Sequence, residues 1–412
     1  MTTRIEKAQL GITTDEMREI AKHEGVSVKL IKEMLAQGRI AIIKNISKKS
    51  LKPLAIGNGL KTKVCASIAS NFNKTSFEEE TDKLRVVQLA GADCILDLSY
   101  GSYIEETRHM LLSNAEVPVG SSPMLKIQYE MNQNGEELVF SKDDMFSIVK
   151  SHCLDGVDFI CLNCSLTKDM ITKFEKQKRL SKITSRAAQF LYDWIKKTGQ
   201  ENPFYEYFDE LLAILKEKDI TLFLDSAFKT GSTNDSFDAT QISEYTTTAT
   251  LAQRAIESGV QVVADGIGHI PINKIKPMVD LIKESTQNIP LFISSALTCD
   301  CAIGYDNITS SIASAICCAN GANLLSATAS VDYLEVSTAA HLREGVISAK
   351  IAANSGDLAN NNTEAIKQNY KISYARANEN WRNQIRNSID KSVFEGVEVK
   401  NRNNWRSCKL LI

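Results

Sequence analysis

Short runs of consecutive apolar residues recur along this chain, at 41–44, 63–68, 94–98, 117–120, 159–163, 220–224, 260–264, 291–294 and 323–326. Within each run polar positions are too few for one face to meet water, so the runs predict strands buried on both faces. Between most of them lie stretches with helical spacing and crossover length, for example 76–89, 105–113 and 248–258. Repeated strand–helix units with such strands imply a parallel sheet, and about eight of them over some 270 residues predict a closed (β/α)8 barrel. No GxGxxG follows the first strand, which argues against a dinucleotide-binding open sheet.

The pattern changes at both ends. Residues 1–60 carry two short helical signals, one opened by Thr13-Thr14-Asp15-Glu16 and one by Ser27, each a side chain able to cap exposed backbone N–H groups. Residues 341–390 read as long helices, with Leu342, Val346, Ile347 and Ile351 at helical spacing and breaks at Gly356 and Asn360-Asn361-Asn362. The expected organisation is a helical domain at 1–60, the barrel at 61–335 and a helical domain at 336–412.

Composition narrows the partners. The 412 residues are 43% hydrophobic and 24% charged with a net charge of -2, so neither nucleic acid nor an anionic membrane is expected and a small molecule suits the chain better. No apolar stretch of about 18 residues occurs and the N-terminus lacks a signal-peptide core, which predicts a cytoplasmic protein. The ten cysteines read as reduced, core-filling thiols. That includes Cys161-Leu162-Asn163-Cys164, Cys299-Asp300-Cys301 and Cys317-Cys318, none of which has a third cysteine spaced to complete a metal frame.

Two segments carry more specific chemistry. Asp265-Gly266-Ile267-Gly268-His269-Ile270-Pro271-Ile272 follows the run at 260–264 and puts an imidazole at a strand's C-terminal mouth; about 25 residues later comes Leu297-Thr298-Cys299-Asp300-Cys301-Ala302-Ile303-Gly304-Tyr305-Asp306. Together they resemble the signature of the phosphomethylpyrimidine synthases, the ThiC family of thiamine biosynthesis, whose turn reads Glu-Gly-Pro-Gly-His-Val-Pro. The resemblance runs to about residue 390 through Ala8-Gln9-Leu10-Gly11-Ile12-Thr13, Gly91-Ala92-Asp93, Val117-Pro118-Val119-Gly120 and Lys350-Ile351-Ala352-Ala353. It implies a helix–barrel–helix order, a homodimer, and conversion of aminoimidazole ribonucleotide to the pyrimidine phosphate HMP-P. It further implies a [4Fe-4S] cluster on three C-terminal cysteines, S-adenosylmethionine, and a divalent metal held by two histidines.

Against that pattern the chain departs at the positions named for chemistry. Only Cys408 stands in the tail where the resemblance implies three cysteines, so the cluster is expected to be absent and the cofactor is left unknown. His269 fills the first metal position and Tyr333 the second, with His341 eight residues further on. In the substrate pocket the resemblance aligns Ser67 with an asparagine, Leu96 with a methionine, Leu125 and Phe292 with tyrosines, and Asn163 with a histidine. Ser185-Arg186-Ala187-Ala188 partly keeps a Ser-Arg-Gly-Gly turn, Ser226-Ala227-Phe228-Lys229 replaces Asp-Gly-Leu-Arg, and Asp265 replaces a glutamate. Ser185, Arg186 and Lys229 are expected to hold a phosphate.

Three functions stay open on these grounds. One is a thiamine-pathway synthase-like protein unable to perform the radical rearrangement alone. Another is an altered paralogue that binds an imidazole or pyrimidine phosphate, with His269 and Asp265 as a proton-transfer pair. The last is a partner in a homodimer or in a hetero-oligomer with an intact paralogue.

Overall fold

The runs after residue 60 all become strands of one closed, all-parallel barrel. The computed structural model describes residues 2–48, 50–69, 76–133, 140–378 and 380–392. In chain order the strands are β1 (Ile40–Ile43), β2 (Leu54–Gly57), β3 (Lys63–Ile68), β4 (Cys94–Asp97), β5 (Val119–Ser121), β6 (Phe159–Leu162), β7 (Thr221–Leu224), β8 (Val262–Gly266), β9 (Leu291–Ile293) and β10 (Leu324–Ala327). Strands β3 to β10 pair in sequence order and β10 closes on β3. The (β/α)8 barrel expected from the apolar runs is the observed architecture.

Side-chain alternation sorts the barrel residues into two packed sets. Val64, Ala66, Ile95, Ile160, Leu222 and Leu291 face the helices. Cys65, Cys94, Leu96, Phe159, Cys161, Phe223, Val263, Phe292 and Leu324 fill the interior. Phe159 stacks on Phe223 with ring centroids 4.4 Å apart, and Phe292 meets Phe223 edge-on at 5.8 Å. Room for the Phe159 ring comes from Gly120, where a Cβ would lie 2.2 Å from it.

The run at 41–44 is not a barrel strand. As β1 it pairs antiparallel with β2, an element the sequence did not announce. Alternation gives the hairpin two apolar faces: Ala41, Ile43 and Ile56 join the barrel interior, while Ile40, Ile42 and Ala55 join the N-terminal helices Arg4–Gln9, Asp15–Glu24 and Val28–Ala36. Gln261 bonds both backbone groups of Ile42, at 2.6 and 3.2 Å, and the buried Asp158 accepts from Asn45 N and Val119 N. The hairpin thus seals the end of the barrel where the strands begin.

Thr14 and Ser27 cap the second and third helices as the sequence indicates; the first, Arg4–Gln9, is closed by a reciprocal Thr3–Glu6 box that the sequence reading missed. At the other end, helix Ala339–Ala359 runs straight through Gly356. Gly356 is a close-packing site, since a Cβ there would lie 2.2 Å from that of Cys318 on helix Asp306–Ala319. The asparagine run does end the helix: Asn361 adopts a positive φ and Asn362 caps helix Thr363–Ala377. Ile351 is half exposed; the buried seam is Leu342, Gly345, Val346, Ala349, Ala352 and Ala353. Among the described residues no helix is long and apolar enough to cross a membrane.

Candidate functional site

The interior parity of the strands turns polar at and just beyond their C-terminal ends. Two residues beyond the inward Cys65, Phe223, Val263, Phe292 and Leu324 come Ser67, Asp225, Asp265, Ser294 and Ser326, and these line a cavity of about 430 Å³ at the barrel mouth. Its apolar wall includes Leu96, Leu98, Leu125, Cys161 and Phe292, and Thr184, Ser185, Arg186 and Tyr333 stand on its rim.

At the floor, Lys229 uses all three N–H groups within the protein. It donates to Asp225 Oδ1 at 2.6 Å, to Ser294 Oγ at 2.9 Å and to Asp265 Oδ2. Burial favours the neutral amine, but the two carboxylates outweigh it and raise the ammonium pKa. Asp225 is held below its usual range, because Lys229 and a bond from Asn163 Nδ2 at 3.1 Å overcome the burial penalty. Asp265 goes the other way. Its burial, with Asp225 as a competing charge, outweighs Lys229 and pushes the carboxyl up to about 8. Its Oδ1 is buried with no hydrogen-bond partner among the described residues. The floor therefore holds a carboxyl group that exchanges a proton near neutrality beside a fixed cation, the requirement for a general acid or base.

The loop that carries Lys229 is anchored from outside the barrel. Glu244 on helix Ala239–Glu257 accepts from Ser226 Oγ at 2.5 Å, Ala227 N at 2.7 Å and Phe228 N at 3.0 Å. On the rim, Ser185 is the N-cap of helix Arg186–Thr198 and accepts from Ala188 N. The Arg186 guanidinium lies 4.5 Å from the Tyr100 ring centre. A cation lying over an aromatic face beside a helix N-terminus presents positive potential to the cavity.

His269 sits between Asp300 Oδ1, 2.8 Å from Nδ1, and the Tyr333 hydroxyl, 3.2 Å from Nε2. Gly268 makes this approach possible, as its Cβ would lie 2.4 Å from Thr230 N. Burial acts against ionisation of Asp300, but bonds from Thr233 N and Oγ1 and from His269 keep its carboxyl below the usual range. Tyr333 is half exposed; partial desolvation of its hydroxyl, with Asp332 and Asp306 nearby, shifts the phenol upward from its ordinary value, so at neutral pH it is a hydroxyl and a poor metal ligand. Among the described residues no three His, Cys, Asp or Glu side chains converge to hold a metal ion. These residues do not fit a two-histidine metal site; they form a hydrogen-bonded Asp300–His269–Tyr333 chain.

The structure brings Ser67, Ser185, Arg186, Lys229, Asp265 and Tyr333 to one cavity, with His269 behind Tyr333. Asn163 is placed elsewhere: buried, it holds Asp225 instead of lining the cavity. Lys229 is spent on the two carboxylates, which leaves Arg186 as the cation facing outward. His341 caps its own helix through Thr338. Cys161, Cys164, Cys317 and Cys318 are buried as expected, but Cys299 and Cys301 are exposed, because they lie in a turn and not on a strand. Cys408 and the rest of 393–412 lie outside the described residues. Asp225, Glu244 and Asp300 were missed in the sequence; parity from Phe223 points to Asp225, while nothing local marks the other two.

A family model described as the radical SAM ThiC family matches residues 3–410. A phosphomethylpyrimidine synthase from Thermoanaerobacter sp. is 38% identical over 410 residues, covering 99% of this chain and 95% of the relative. Those of Thermodesulfovibrio yellowstonii and Pyrococcus abyssi are 36% and 35% identical, covering 94% and 99% of this chain and 91% and 95% of theirs. Among solved structures, dihydropteroate synthase from Thermus thermophilus aligns with 76% of this chain and 98% of its own at 11% identity and a TM-score of 0.42, too distant to bear on function.

Proposed function

The chain belongs to the radical SAM ThiC family, and from that membership we propose that it serves the pyrimidine branch of thiamine biosynthesis as a phosphomethylpyrimidine synthase-like protein. In this reading the barrel mouth binds a phosphorylated imidazole or pyrimidine, with the ring against Leu96, Leu125 and Phe292. The phosphate lies against Arg186 and the first turn of its helix. The observation that carries this reading is the cavity itself, apolar on one wall and edged by Ser185 and Arg186.

The unaided radical rearrangement is not assigned to this chain. The mouth offers one imidazole, already bonded on both nitrogens, where the resemblance implies two for a metal. What the floor supplies instead is a proton at Asp265, beside Lys229. That favours a second reading, an altered paralogue whose chemistry on the same ligand is proton transfer.

Calorimetric titration tests the binding. Aminoimidazole ribonucleotide should bind at least tenfold more tightly than its unphosphorylated riboside. Arg186→Ala removes one charge-assisted contact of about 1.5–3 kcal/mol, an affinity loss of roughly 10- to 150-fold. Equal affinities for ribonucleotide and riboside, or an unchanged Arg186→Ala variant, would refute the placement.

A further inference from the structure

The turn that carries Asp300 to His269 also brings two thiols together. Ala302 N donates to Cys299 O across residues 299–302, and the Sγ atoms of Cys299 and Cys301 lie 3.3 Å apart. Both cysteines are exposed, whereas the other seven described cysteines are buried. Burial raises the thiol pKa of Cys153, Cys161, Cys164 and Cys317 and makes them inert. The turn is not free to drift, because both carboxylate oxygens of Asp300 are fixed, one by His269 and the other by Thr233 N and Oγ1. Two solvent-facing sulfurs are thus held within about 1.3 Å of the roughly 2 Å separation of a disulfide.

We propose that Cys299 and Cys301 form a reversible dithiol–disulfide pair, oxidised by exchange with a low-molecular-weight disulfide such as glutathione disulfide, and that ring closure is transmitted to the barrel mouth through Asp300. Both thiols are open to the small disulfide, and the exchange starting from Cys299 takes two steps. The Cys299 thiolate attacks one sulfur of the small disulfide, forms a mixed disulfide and releases one small thiolate, which takes up a proton. The Cys301 thiol then loses its proton to water and its thiolate attacks Cys299 Sγ, forming the internal bond and releasing the second small thiol. Two protein thiols are oxidised to one disulfide, and one small disulfide is reduced to two thiols. Asp300 lies inside the new ring, one residue from each sulfur, so closure changes the geometry from which its carboxylate meets His269.

Differential alkylation of the full chain, followed by peptide mapping, tests the pair. In reduced native protein both cysteines should be labelled. After equilibration with glutathione disulfide neither should be, and their shared peptide should lack two hydrogens. Cys299→Ser and Cys301→Ser should each stop at a stable glutathione adduct on the remaining cysteine. The His269 ring resonances, assigned with His269→Gln, should shift on oxidation of the native chain and not of either serine variant. Continued labelling of both cysteines in glutathione disulfide, or a cross-link to Cys408, would overturn the pair. Unchanged His269 resonances in the oxidised protein would overturn its link to the mouth.

Discussion

Replacing Asp265 by asparagine should change how stability depends on pH more than it changes the fold. The amide keeps the shape of the carboxyl, can turn its oxygen to Lys229, and leaves Lys229 with Asp225 as its one full countercharge. In the unfolded chain Asp265 loses its proton near pH 4; in the folded protein it does so at about 8. Between those values the native state holds one proton more than the unfolded chain. The group's stabilising contribution is therefore complete below pH 4, declines as pH rises, and is gone above about pH 8. The slope from this one site is at most about 1.4 kcal/mol per pH unit, or about 4 kcal/mol across three units within that window. Urea unfolding of both proteins, followed by circular dichroism at pH 5, 6, 7 and 8, measures it. The native protein should lose stability relative to Asp265→Asn as pH rises, by an amount approaching that bound. Parallel curves from pH 5 to 8 would show Asp265 already ionised at pH 5 and remove the basis for a proton at the floor.

Asp225→Asn should act with the opposite sign. Asp225 is held below its usual range, so its contribution is present above pH 4 and lost as pH falls through the folded value; the variant should cost about 1–3 kcal/mol at pH 7, measured in the same denaturation series, and bring the Asp265 titration down because Lys229 then serves it alone. Gly120→Ala places a methyl group where the Phe159 ring lies. Thermal unfolding should show a loss of about 1–3 kcal/mol.

The barrel was legible because its strands are buried on both faces, which writes each as an unbroken apolar run. Hairpin β1–β2 was half legible for the opposite reason. β2 is four residues long, Pro53 precedes it, and ten residues separate it from β1, so no tight-turn signal joins the two. Gly356 misled because glycine in a helix has two meanings, a break or a close approach, and only the position of Cys318 decides between them. At the mouth, Ser67, Asp265 and Lys229 were visible through the resemblance, which aligns them with substrate-pocket positions. The charge state of Asp265 was not, since it depends on Asp225 and Lys229 arriving from another strand end. Cys299 and Cys301 show the same limit: their spacing was plain, but whether the sulfurs face each other depends on a turn pinned by Thr233, 66 residues earlier.

Hairpin β1–β2 closes one end of the barrel, and this decides the traffic through it. With that end stoppered by Ala41, Ile43 and Ile56, a molecule in the cavity has no way through and must depart by the door it entered. Arg186 and Tyr333 therefore stand along the route of both arrival and release, so a change in either should alter residence time together with capture.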